Sequence, residues 1–211
     1  MKYKDILDRL RRNPKCPLEL IEQVIKEDPA HLENRTSDIA KKADKLARDV
    51  SREAYKIRAF TRFNLSRHGI LFATIEPQYH VEDLVVKWFW RRFPQFVIAL
   101  ESKPKRGVFL FGPVFTDVIF TKAPLIEVIE DLEQRLPINP LLEEVAEFSD
   151  KIWERYYASQ YVPSRKNLKL FLKFLPRKYQ KWKGLVTEAS FGTRSLDEFT
   201  TASQRSNNRS K

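Results

Sequence analysis

Glu76 and His80, four residues apart in Glu76-Pro-Gln-Tyr-His80, are the pair in this sequence best suited to acid–base work. An imidazole titrates near neutrality; it moves a proton or, when charged, holds a phosphate. The pair follows the apolar, partly β-branched run Ile70–Ile75, and a helical spacing begins at Val81. A strand-to-helix junction of this kind is where open sheets tend to place their ligands. Arg92, after the helical run, completes a candidate pocket with them. The bland alternative is a histidine in a first helical turn with no role. The other two histidines offer less: His31 is expected in a loop after Asp28-Pro29, and His68 in a turn before Gly69.

Two basic segments suggest a second chemistry. From Lys41 to Arg67 there are nine basic residues against three acidic ones, and from Lys151 to Lys183 ten against one. In the second, Trp153, Tyr156, Tyr157, Tyr161, Tyr179 and Trp182 interleave with the cations. Cations neutralise phosphates while aromatic faces stack on exposed bases. Arg165, Lys169, Arg177 and Lys178 are therefore candidate phosphate contacts, and Tyr179 and Trp182 candidate stacking rings. About half of these aromatics are expected in the core, beneath arginine and lysine stems. In the first segment Arg52, Arg58 and Arg62 share one helix, and steps of about 100° per residue bring Arg58 and Arg62 to one side.

The whole chain of 211 residues carries a formal charge of +11, and an anionic partner, nucleic acid first, fits that balance. The stretch from Ala123 to Asp150 reverses the sign, with eight acidic residues against one basic. One cysteine, Cys16, excludes an internal disulfide framework and any multi-cysteine zinc site, and no metal or cofactor is expected. Five glycines and no Walker loop argue against a P-loop; there is no Gly-x-Ser-x-Gly elbow and no His-Glu-x-x-His. No apolar run approaches the ~20 residues of a bilayer span, and the opening MKYKDILDRLRR has no signal-peptide core. Cytoplasmic location without membrane contact is the expectation.

The elements that must position these groups can be read from periodicity. Leu18, Ile21, Val24 and Ile25 mark a short helix stopped by Asp28-Pro29. Capped by Thr36 or Ser37, a longer helix runs through Ile39, Ala43, Leu46, Val50, Ala54, Ile57 and Phe60. Strands are predicted at Ile70–Ile75, 96–100 and 108–111, the last two joined as a hairpin with a basic tip, with a fourth from Phe115 to Phe120. Helices are predicted from Val81 to Arg92, from Pro124, through Leu141 and Phe148, and from Pro163 to Leu175. The fold class is α+β: a single domain with a small, mostly antiparallel sheet of three to four strands packed with several helices. Residues 1–36 form a helical N-terminal extension, 37–190 the core domain and 191–211 a disordered basic tail.

Three stretches carry a family resemblance. They are Arg52-Glu-Ala-Tyr-Lys-Ile-Arg-Ala-Phe-Thr-Arg-Phe63; Glu76-Pro-Gln-Tyr-His80 with Arg92-Phe93; and Trp153-Glu-Arg-Tyr-Tyr157 with Ser164-Arg-Lys-Asn167, Leu175-Pro-Arg-Lys-Tyr179 and Glu188. Together they resemble a DNA-metabolism family whose domain of unknown function occurs fused to uracil-DNA-glycosylase-like domains. Stand-alone members are encoded beside radical-SAM proteins assigned to DNA repair. This chain differs at Tyr55, where the family usually has histidine. The resemblance implies a DNA-repair setting and a radical-SAM or glycosylase-like protein partner, and it adds Asn167 to the candidate nucleic-acid contacts. The expected function is a nucleic-acid-binding accessory protein of DNA repair or modification. The alternatives are an enzyme acting on nucleic acid at Glu76, His80 and Arg92, or a docking module that uses the acidic stretch.

Overall fold

A computed structural model describes residues 2–147 together with Leu170 and Tyr179. The chain divides into two compact units, Met1–Ala146 and Glu147–Lys211, and the first holds every element described below except the last residue of its final helix.

In chain order the elements are α1 (Tyr3–Arg11), α2 (Leu18–Lys26), α3 (Pro29–Asn34), α4 (Asp38–Phe60), β1 (Asn64–Leu65), β2 (Ile70–Ile75), α5 (Glu82–Arg92), β3 (Val97–Ser102), β4 (Gly107–Phe111), β5 (Ile119–Thr121), α6 (Leu125–Arg135) and α7 (Pro140–Glu147). The long helix α4 starts where the sequence signals it. The Ser37 side chain accepts from the Ala40 N–H at 3.1 Å and satisfies one of the donors that a helix start leaves open. Its inward stripe is built from small residues, Ala40, Ala43, Ala47 and Ala54, with Val50 and Ile57. Small side chains let α1–α3 approach closely, and Ile6, Leu10, Leu20, Val24 and Leu32 pack on that stripe as one buried cluster. This buried cluster joins residues on both sides of residue 36.

His31 is not in a loop. Asp28 caps a short helix, accepting from the Ala30 N–H at 2.8 Å with Pro29 in the first turn, so the Asp-Pro pair that stops α2 also starts α3. Helix α1 has no counterpart in the periodicity reading.

The sheet has five strands in the order β1-β2-β3-β4-β5, which corrects the three to four expected. It is mixed. β2 and β3 run parallel with Ile70 opposite Val97 and Ile75 opposite Ser102, while the other pairings are antiparallel. The parallel pair follows from α5, because a helix between two adjacent strands returns the chain to the same end of the sheet. β1 is two residues long, too short to show a period of two. The β3–β4 hairpin turns through Lys103–Arg106, with Arg106 in the left-handed region at φ 49°. Gly107 begins β4 because a Cβ there would lie 2.4 Å from the Thr121 carbonyl oxygen of the next strand. A second cluster, with Ile70, Val97, Ala99, Val108 and Leu110 from the sheet and Val128, Ile129 and Leu132 from α6, fills one face.

Candidate functional site

The Glu76–His80 segment leaves β2 at the carboxyl ends of the parallel strands and is held from two sides. From α4, the Glu53 carboxylate accepts from the Gln78 N–H at 2.9 Å and the Tyr79 N–H at 2.8 Å. From the end of α1, Arg12 donates to the His80 carbonyl at 3.0 Å and pairs with Asp83 at 2.6 Å, while the His80 N–H donates to the Arg12 carbonyl at 2.9 Å. Burial acts against the Arg12 cation, but bonds to Asp83 and Asp8 outweigh it and hold its pKa above the ordinary value. Burial, with Asp49 and Glu53 nearby, raises the Tyr79 phenol. Beneath the segment Glu82, 2% exposed, accepts from the Ser102 hydroxyl at 2.9 Å and faces the Lys105 ammonium at 3.4 Å.

Glu76 and His80 do share this segment, both exposed, and no hydrogen bond joins them among the described residues. Arg92 is set apart. It ends the 11-residue helix α5, about 15 Å along the axis from Glu82 at 1.5 Å per residue. Its guanidinium lies 5.9 Å over the Phe93 ring. Arg62 donates to the carbonyls of Ala59 and Thr61. Arg52 pairs with Asp49 at 3.3 Å, and Arg48 and Arg35 both pair with Asp44, so much of the basic back of α4 is matched within reach of the helix itself.

Arg58 differs from these. Its guanidinium lies 5.4 Å over the Trp88 ring of α5. Burial and the nearby cations Arg9 and Arg91 lower its pKa, and its buried Nε has no hydrogen-bond partner. The residue still carries a full charge at neutral pH. Arg58 is thus a half-buried cation with two like charges near it and no carboxylate partner of its own among the described residues.

A family model described as a domain of unknown function, DUF4130, matches residues 12–186. The chain belongs to this family. The DUF4130 match takes in α2 and α3, upstream of the stretches that carry the sequence resemblance, and leaves α1 ahead of it. No curated protein and no solved structure matches the chain. Within the DUF4130 region, Arg165, Asn167, Lys169, Arg177, Lys178 and Trp182 lie outside the described residues. Tyr179 is described and is fully buried, so its ring offers no open face to a base. Among the described residues no group of three or more His, Cys, Asp or Glu could hold a metal ion, and no helix is long and apolar enough to cross a membrane.

Sequence reasoning missed Glu53, although it carried a signal: an acid one step from Ala54 and three from Val50 lies on the buried stripe of α4. Glu53→Ala is expected to cost about 2 kcal/mol, since it removes the acceptor of two backbone donors. Denaturant unfolding measures it, and Glu53→Gln, which keeps one acceptor oxygen, should cost about half as much.

Proposed function

We infer that the chain binds nucleic acid, DNA foremost, by its phosphate backbone and acts as an accessory protein in DNA repair or modification. The Arg58 cluster carries this reading. The charges of Arg9 and Arg91 act on Arg58, whose guanidinium lies over Trp88, and Arg58 and Arg91 have no carboxylate partner among the described residues. A bound phosphate removes the repulsion among such cations and releases counterions from the nucleic acid. Trp88, already under the guanidinium, adds a stacking surface of the kind found where arginine meets nucleotides. The net charge of +11 supports the same reading at long range.

Fluorescence anisotropy with a short duplex and a single-stranded oligomer, over a salt series, tests this. Log affinity should fall linearly with log salt. Arg91→Gln should reduce the slope by about one unit, the loss of one phosphate contact. Binding that ignores salt, or folded Arg58 and Arg91 variants that bind as wild type, ends the reading.

A further inference from the structure

A cavity of about 450 Å3 opens at the opposite end of the sheet from the Glu76–His80 segment, at the amino ends of the parallel strands. Its size falls in the range of small-ligand pockets, about 300–1,000 Å3. Four chain segments converge on it: the turn before β2, the start of β3, the loop after β4 and the stretch from the end of α6 into α7. Flat, rigid apolar groups form part of the wall, the Phe96 ring and the rings of Pro137 and Pro140. Polar groups of amide and imidazole type form the rest. His68 donates from Nδ1 to the Leu136 carbonyl at 2.7 Å, the only arrangement that bond allows, because a carbonyl only accepts. In the neutral ring this leaves Nε2 as an acceptor. The side-chain oxygen of Asn139 is engaged by the Leu141 N–H at 3.1 Å, which leaves its NH2 group as a donor. Gln95 adds an amide with both kinds of group.

Two cations adjoin lining residues, one through the chain and one through a stacked ring. Arg67, next to His68, and Arg92 are exposed, and neither forms an ion pair among the described residues. Arg92 stacks on Phe93, whose ring meets that of Phe96 edge-on with centroids 6.4 Å apart. Flat walls, paired donors and acceptors and two flanking cations match one chemical class, a nucleotide. We propose that this cavity takes one unstacked base of a nucleic acid strand, with Arg67 and Arg92 on the flanking phosphates. The proposal rests on the nucleic-acid reading above and locates where a base is held, away from Arg58.

The experiment compares a nine-residue single-stranded deoxyoligomer with an all-abasic oligomer of the same length, which keeps sugar and phosphate. Wild type should bind the normal oligomer about tenfold more tightly than the abasic one. Asn139→Asp, which keeps the oxygen that accepts from the Leu141 N–H, and His68→Gln should narrow that gap to threefold or less without changing the salt slope, with melting curves to show that each is folded. In parallel, free deoxyadenosine and thymidine, which lack phosphate, should shift the amide NMR signals of Gly69, Phe96 and Val97. Equal binding of the two oligomers, or a gap that persists in both folded variants, overturns the base pocket and leaves the nucleic-acid reading in place. Amide shifts by free nucleosides without oligomer binding support the pocket and remove the nucleic-acid reading. Neither binding nor shifts overturns both.

Discussion

Glu82→Ala is expected to lower stability by about 3 kcal/mol, the range for breaking a buried charged pair from one side. Its carboxylate is almost fully buried and serves the Ser102 hydroxyl and the Lys105 ammonium together, so its removal leaves both without their acceptor. Ser102 is the more costly of the two, being fully buried at the end of β3, whereas Lys105 is a third exposed and can turn to water. Glu82→Gln separates the terms: the amide oxygen still accepts from Ser102 and only the charge is lost, so about 1 kcal/mol is expected. Guanidinium unfolding of the two variants measures the difference. Equal losses would mean that the charge facing Lys105 carries the whole effect.

Arg58→Met is expected to separate binding from folding. Its guanidinium is half-buried among like charges and its Nε makes no hydrogen bond, so the cation weakens the fold it sits in. The sign follows from the pKa: a base held below its ordinary value prefers to be neutral in the folded state, and arginine cannot become neutral at working pH. Methionine keeps the apolar stem against Trp88 and gives up a stacking interaction of about 0.5–1 kcal/mol, which offsets the relief. The midpoint of thermal unfolding should therefore stay within about 3 °C of wild type or rise. DNA affinity should fall about tenfold, the scale of one charge-assisted phosphate contact, about 1.4 kcal/mol. A variant that loses several degrees along with its binding would make Arg58 a structural residue.

The long elements were legible because their periodicity agrees with their packing. α4 shows its stripe over six turns and its cap at Ser37, and β2 is a plain apolar run between a glycine and a proline. The parallel β2–β3 pair was implicit in the order strand, helix, strand. β1 was not legible, since two residues hold no period, and β5 runs over Ile119–Thr121 rather than from Phe115 because Pro113 and polar residues break up its approach. Of the candidate site, Glu76 and His80 were found by their place after a strand. Arg92 lies at the far end of the helix that follows them. Glu82 was hidden because an acid in a helix reads as solvated surface, whereas Glu53 was overlooked despite its place on the buried stripe of α4. The cavity could not be read at all, since its wall comes from four segments distant in sequence.

Two of the buried clusters among the described residues differ in kind. One joins α1–α3 to the first half of α4 and contains no strand, while the other joins the sheet to α6. Parting the helical cluster breaks no ladder hydrogen bond, so the amides of α1–α3 should exchange with deuterium through a partial opening that leaves the sheet intact. β3, paired on both edges and buried along its length, should hold its protons longest. Arg9 and Arg12 ride on the early-opening part. The clamp on His80 and one third of the Arg58 cluster would then loosen before the strands do, and a ligand bridging Arg9 to Arg91 would slow exchange in helices it never touches.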